Sequence, residues 1–256
     1  MERKSKTERR VKTGDNMLNI FQIIQQEDGA GVSKIATEIG LAKSTTHEYL
    51  YTLTDRGYLV NQAGEYTLGL KFFEHGSAAK NRCSILPEVE PGLKQLVEET
   101  GEVAWFLVEE HGQAFYMENV VGEHSIQTHA RVGKREHLHC LATGKAMLAQ
   151  MPQKRVYEII ERYGLPEKTP HTITDPDTLI TKLDDIRKRG YSFNEEETAG
   201  QVSAIAAPIL VKGDKVVGGI CVSGPARRME RKGFRSEFPD LILSVADEIS
   251  LRINWQ

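Results

Sequence analysis

The chain has 256 residues, of which 39% are hydrophobic and 27% charged, a composition that supports a packed core and argues against disorder. Its formal net charge is −3, so any contact with a nucleic acid must come from a local surface rather than from the total charge. The three cysteines lie too far apart for a disulfide framework, and no apolar run reaches the roughly 18 residues of a membrane span. We therefore expect a cytoplasmic chain with no membrane partner.

The length fits a small domain followed by a larger one. Residues 1–13 carry a basic excess and are expected to form a flexible arm. The pattern then predicts a small domain over 14–69, a linking helix over 70–84 and a larger domain over 85–256. The fold class is therefore α+β, with two domains of different character.

Three helices and a hairpin are predicted in the small domain. The first helix covers 15–26 and is expected to bury Leu18, and the second covers 33–39. A third begins near Ala42, and two short strands with a polar turn follow over 58–68. This order of elements is typical of a winged helix-turn-helix, which binds DNA, although a helical protein-interaction module could share it.

The third helix has two different faces. Apolar residues at i, i+3, i+4 and i+7 spacing, beginning at Thr46, are expected to pack on the other helices. The opposite face offers hydrogen-bonding side chains suited to reading bases, and a basic residue stands at each end to contact phosphates. The candidate DNA-binding residues are Lys43, Ser44, Thr45, Thr46, His47, Glu48, Tyr51 and Arg56.

The linking helix carries Leu70, Phe73 and Ala78 among polar residues. Apolar residues at this spacing predict either a dimer interface or packing on the helix's own domain, and the sequence does not choose between them.

The larger domain alternates helices with strands. It predicts a five- or six-stranded antiparallel sheet with helices on one face and a small-molecule pocket on the other. Asp175 is expected to cap a helix whose first residue is a proline, and this pair is a strong signal for a helix start. The predicted strands cover 103–108, 114–120, 125–129, 203–211 and 215–223, and the predicted helices cover 86–100, 142–151, 153–163, a segment from 176 and a last one around 242–253.

Several short motifs in this order resemble the IclR family of transcriptional regulators. The resemblance covers residues 14–256, and the motifs that carry it lie at 42–47, 57–59, 66–69, 131–149, 189–191, 206–208 and 223–225. It implies an N-terminal winged helix-turn-helix and a C-terminal effector-binding domain of GAF-like fold. It also implies a homodimer or homotetramer that binds partly palindromic double-stranded DNA, with no cofactor.

The resemblance further implies a pocket for a small organic acid or aromatic metabolite. The residues that it places there are Ala142, Thr143, Gly144, Asn194, Ala204, Cys221 and Ser223. The start of the helix at Ala142 offers free N–H groups and a positive dipole end that suit a carboxylate.

Four positions depart from the family pattern. Asn194 stands where an acidic residue is usual, Ala204 replaces a small polar residue or cysteine, and Cys221 replaces a common serine. Gln201 stands where the family tends to have glycine. These changes predict a less acidic and less polar pocket, which fits a larger or partly apolar ligand at least as well as a small one bound through many hydrogen bonds.

Two alternatives concern the cysteines. His137, His139 and Cys140, together with Cys221, could form a metal site, although their spacing is not diagnostic. Cys140 could also be a catalytic nucleophile, but no orienting residue or oxyanion motif accompanies it, and a buried packing role is favoured. The run 195–197 of three glutamates is expected to be a solvated surface.

Overall fold

The computed structural model describes residues 11–125, 130–231 and 233–255. The chain divides after Arg82 into two compact units. Residues 1–10 of the predicted arm and residues 126–129 of a predicted strand lie outside the described part. The first helix already begins at Lys12, two residues inside the segment predicted as the arm.

From residue 11 onward, the first unit contains four helices and a three-stranded sheet with the order β1-β3-β2. Its elements are α1 (Lys12–Glu27), β1 (Ala30–Gly31), α2 (Val32–Ile39), α3 (Lys43–Asp55), β2 (Leu59–Gln62), β3 (Glu65–Leu68) and α4 (Lys71–Asn81). All strand pairs are antiparallel, and the hairpin of β2 and β3 is the predicted wing.

The inward face of α1 differs from the prediction. Leu18 was expected in the core but is 59% exposed, whereas Ile20, Ile23 and Ile24 are buried. A helix turns about 100° per residue, so Leu18 lies about 200° from Ile20 and faces solvent. The i, i+3, i+4 stripe that begins at Ile20 supplies the core with α2 and α3.

In its described residues, the second unit contains a six-stranded antiparallel sheet with the order β6-β5-β4-β9-β8-β7. Its strands are β4 (Val103–Glu110), β5 (Gln113–Val120), β6 (Arg135–His137), β7 (Ser192–Glu195), β8 (Val202–Val211) and β9 (Lys215–Pro225). Its helices are α5 (Leu86–Thr100), α6 (Ala142–Gln150), α7 (Gln153–Tyr163), α8 (Pro176–Arg189), α9 (Ala226–Arg231) and α10 (Phe238–Asn254), and a 3₁₀ turn at Leu138–Cys140 leads into α6.

Helices cover both faces of this sheet, so the expectation of helices on one face was wrong. Trp105 of β4 packs in a core with α6, α7 and α8, whereas its neighbour Phe106 packs in a second core with α5 and α10. Successive strand residues point to opposite faces, so one strand serves both cores. No helix among the described residues has the length and apolarity needed to span a membrane.

Candidate DNA interface and ligand cavity

The helix α3 presents a polar surface that its own packing orients. Gly40, with φ of 72°, makes the left-handed turn between α2 and α3, a conformation that suits glycine. Leu50 and Leu53 are buried on the inner side of α3. Of the predicted DNA-binding residues, seven are exposed: Lys43, Ser44, Thr45, His47, Glu48, Tyr51 and Arg56.

Thr46 is the exception and does not belong to that surface. It is fully buried, and its hydroxyl donates to the Ala42 carbonyl at 3.1 Å. Its side chain therefore stabilises the first turn of α3 from inside the unit, in agreement with its position on the apolar stripe. We remove it from the candidate DNA-binding residues.

An aromatic cluster joins the wing to α1 and α4. Phe72 lies 4.7 Å from Phe21 and 5.3 Å from Tyr58 between ring centroids, and the Tyr58 hydroxyl is 2.9 Å from Nε2 of His75. The neighbouring Leu70 and Phe73 are 86% and 75% exposed. The structure thus packs the half-buried Phe72 against two aromatic rings and leaves two of the apolar residues predicted for an interface in solvent.

A cavity of about 460 Å³ lies against the sheet face that carries α6. Six of the seven predicted pocket residues line it: Ala142, Thr143, Asn194, Ala204, Cys221 and Ser223. Trp105 and Tyr116, whose rings meet edge to face at 5.1 Å, form an aromatic wall that the sequence did not predict. The pairing of β8 with β9 places Ala204 opposite Ser223, and that of β4 with β9 places Trp105 opposite Cys221.

Gly144 does not line the cavity, so its predicted role was wrong. A Cβ on this residue would lie 2.0 Å from the Leu138 carbonyl oxygen. The glycine therefore allows the first turn of α6 to pack directly against the 3₁₀ turn, and its role is close packing rather than ligand contact.

Asn194 uses its amide within the protein. Its Nδ2 donates to the Cys140 carbonyl at 2.8 Å and to the Thr198 hydroxyl at 2.7 Å, while its Oδ1 accepts from the Glu197 N–H at 2.9 Å. An ionised acidic residue could not donate to the Cys140 carbonyl. The amide thus joins the loop after β7 to the start of α6 at the edge of the cavity.

The thiols of Cys140 and Cys221 and the imidazole of His139 have the properties of buried packing groups. Burial raises the pKa of Cys140 to about 12 and that of Cys221 to about 11, so both thiols stay protonated near neutral pH. Burial also lowers the pKa of His139 to about 4, and its Nε2 lies 3.2 Å from the Pro166 carbonyl oxygen. A nucleophilic cysteine needs the opposite shift.

The described side chains do not support the alternative of a metal site either. Within residues 11–125, 130–231 and 233–255, no three His, Cys, Asp or Glu side chains are grouped so that they could hold a metal ion.

A charged triad that sequence reasoning missed lies at one edge of the cavity. Lys168 Nζ is 3.1 Å from one Glu136 oxygen, and Lys134 Nζ is 3.7 Å from the other. Burial would raise the pKa of Glu136, but the His137 backbone N–H and the two ammonium groups outweigh it and lower the pKa. Lys134 and Glu136 are neighbours at β6, whereas Lys168 lies 32 residues after Glu136, and only the fold brings the segment after α7 to β6.

The run of three glutamates is not uniformly solvated as expected. Glu195 is exposed, but Glu197 is buried and pairs with the fully buried Lys145 of α6. Burial lowers the pKa of Lys145, while the Glu197 carboxylate opposes that shift. The pair ties α6 to the loop that carries Thr198 and Gly200 of the cavity wall.

Comparison with known proteins gives consistent matches over both units. Residues 15–63 match the IclR helix-turn-helix domain, and residues 77–251 match the bacterial transcriptional regulator IclR C-terminal domain. The transcriptional repressor IclR of Escherichia coli is 30% identical over 91% of this chain and 87% of its own length.

Two solved structures have the same fold. That of Thermotoga maritima IclR has a TM-score of 0.71 and 29% identity, covering 94% of this chain and 97% of that one. An IclR homologue from Microbacterium hydrocarbonoxydans, complexed with 4-hydroxybenzoate, has a TM-score of 0.77 and 20% identity, covering 94% of this chain and 100% of the other.

Proposed function

Because the chain belongs to the IclR family of transcriptional regulators, we propose that its effector is a small organic acid or aromatic metabolite that binds in the 460 Å³ cavity and alters DNA affinity. The observation that carries this proposal is the cavity itself, which combines six residues expected at the effector site with an aromatic wall. The cavity volume falls within the range of roughly 300–1,000 Å³ typical of small-molecule sites.

The chemistry of the wall favours an acid with an apolar body. Leu141, the N-cap of α6, makes no capping hydrogen bond with its side chain among the described residues, so the first N–H groups of α6 can serve an acceptor oxygen of the ligand. Trp105 and Tyr116 offer ring surface to an aromatic or aliphatic group. The 4-hydroxybenzoate held by the Microbacterium homologue has both features.

On the DNA side, we assign base reading to Ser44, His47, Glu48 and Tyr51, and phosphate contact to Lys43 and Arg56. This division rests on exposure and on position along α3. Side chains on the exposed face of the first turns of a recognition helix reach base edges, whereas Lys and Arg side chains flanking that face contact phosphates.

The exposed apolar residues of α4 favour a homodimer. Leu70 and Phe73 would lose their solvent exposure if α4 met its counterpart in a second copy. Two copies related by a twofold axis would then bind a partly palindromic operator with half-sites about one helical turn apart.

The effector assignment is tested by thermal unfolding of the full chain with a panel of small carboxylates and aromatics. A specific ligand at 100 times its Kd stabilises the folded state by about 2.7 kcal/mol. Each ligand found is then tested for its effect on the Kd for a DNA duplex selected from a random library. A panel without any stabilising compound would contradict the effector role and leave DNA binding intact.

The assignment on α3 is tested with three variants and one control. His47→Ala and Tyr51→Ala should change which bases are preferred, because they remove groups that reach base edges. Lys43→Ala should weaken binding to all sequences and reduce the salt slope by about one. Thr46→Val, a buried control, should keep the sequence preference. Equal changes from His47→Ala, Tyr51→Ala and Lys43→Ala would contradict the division.

A further inference from the structure

The charged residues of the cavity are confined to one edge. Among the described residues that line it, Lys134, Glu136 and Lys168 are charged, and the others are apolar or neutral polar. The side chains of the two lysines are 29% and 34% exposed, and that of Glu136 is 10% exposed. The triad is therefore half-buried, where its charges are screened less than on an open surface.

Glu136 holds the two ammonium groups without neutralising both. Its two oxygens face different lysines, at 3.1 Å and 3.7 Å, and one of them also accepts the His137 N–H at 3.1 Å. The carboxylate is thus fixed in place and ionised. One negative charge against two positive charges leaves a surplus of one positive charge at the cavity edge.

We propose that the Lys134–Glu136–Lys168 triad selects the effector by its charge, accepting a monocarboxylate with an apolar body and rejecting both the neutral amide and the dicarboxylate. This inference rests on the proposed effector site and names the ligand class within it. A neutral ligand leaves the surplus ammonium without a counter-charge. A dicarboxylate brings a second negative charge close to Glu136, which repels it.

The apolar part of the cavity wall explains why the ligand needs an apolar body. Trp105, Leu141, Val202 and Ala204 offer carbon surface, and a second charge placed against them would lose its hydration without gaining a cationic partner. The carboxylate is therefore best placed at the triad and the hydrocarbon part against the rings. The N–H groups at the start of α6 are then left to a neutral acceptor oxygen such as a hydroxyl.

The test uses calorimetric titration of the full chain with two matched sets of probes. The aromatic set is benzoate, benzamide and phthalate, and the aliphatic set is hexanoate, hexanamide and adipate. In at least one set, the monocarboxylate should bind about tenfold or more tightly than its amide and its dicarboxylate, as expected for one charge-assisted hydrogen bond. The preference should shrink as salt concentration rises, because both lysines are partly exposed.

Variants assign the preference to the triad. Lys168→Met should reduce the preference for acid over amide to within about twofold, and Lys134→Met should weaken it in the same direction. Glu136→Gln should improve binding of the dicarboxylate relative to the monocarboxylate by about tenfold, because it removes the repelling charge. Lys154→Met is the matched control, since Lys154 is exposed on α7 and does not line the cavity. Each variant is first checked for cooperative unfolding, and Lys168→Gln replaces any Lys168→Met protein that does not fold.

Several outcomes overturn the inference. These are equal affinity for acid and amide, a wild-type preference for dicarboxylates, a preference that survives Lys168→Met or Lys168→Gln, and no binding of any probe at millimolar concentration. If a compound outside these sets changes the Kd for DNA in any of these cases, the effector role stands and the charge selection alone fails.

Discussion

Replacing Lys145 by Met is expected to destabilise the second unit strongly. Lys145 is fully buried, and the partner Glu197 has one carboxylate oxygen, Oε2, that is buried and makes no hydrogen bond with the described residues. Without the ammonium group, this carboxylate would be left buried with no counter-charge. Breaking a buried ion pair in this way costs about 3–5 kcal/mol. In a unit of this size that lowers the unfolding midpoint by roughly 6–20 °C.

Urea denaturation followed by tryptophan fluorescence measures this loss, because both tryptophans of the chain, Trp105 and Trp255, lie in the second unit. The double variant Lys145→Met with Glu197→Met should recover most of the stability, since replacing both charges by apolar groups is often neutral. The control Lys188→Met removes an exposed lysine that lies 3.8 Å from Asp185, and should cost less than about 1 kcal/mol. A Lys145→Met protein within about 1 kcal/mol of wild type, or a double variant as unstable as the single one, would refute a buried charge pair.

Two further predictions concern α6 and the turn before it. His139 has a folded pKa of about 4, below the ordinary 6.5, so the unfolded chain binds its proton first as pH falls. The free energy of unfolding should thus be fully retained above pH 6.5 and fall by about 2 kcal/mol between pH 7.5 and pH 5. Urea titrations at the two pH values should show a smaller fall for His139→Gln. An unchanged pH dependence in this variant would contradict the burial effect. Gly144→Ala would force a Cβ against the Leu138 carbonyl and should lower the free energy of unfolding by about 3 kcal/mol or more. The control Gly76→Ala has open space around it and should stabilise α4 by about 0.5–1 kcal/mol. Equal thermal stability of the two variants would count against close packing at Gly144.

Local signals in the sequence predicted several elements well. The helices α5 and α7 have the predicted bounds, and the N-cap Asp175 accepts the Thr178 N–H at 2.8 Å, as its position before a proline indicated. Capping residues and glycines act within one turn, so they can be read from a short segment. The polar outer face of α3 could likewise be predicted from the residue spacing within one short segment.

Features that depend on distant parts of the chain were missed. The strand β7 ends at the run of glutamates, which suggested a surface loop, but pairing with β8 draws it into the sheet. The burial of Glu197 depends on Lys145, 52 residues away in the chain. Helical spacing in α1 allowed either the face with Leu18 or the face with Ile20 to point inward, and packing against α2 and α3 buries the face with Ile20. The triad at the cavity edge likewise has no local motif.

The measurement that tests the central claim most directly is the Kd of the full chain for its selected DNA duplex, with and without a ligand that raises thermal stability. The wild-type Kd should change by about 5- to 150-fold, the range that a coupling free energy of about 1–3 kcal/mol gives. Ala204→Phe, which places a ring in the cavity, should bind the same duplex with a Kd that the ligand no longer changes. A ligand that stabilises the wild-type chain but leaves its Kd for DNA unchanged, or one that still changes the Kd of a folded Ala204→Phe protein, would contradict control of DNA binding through this cavity.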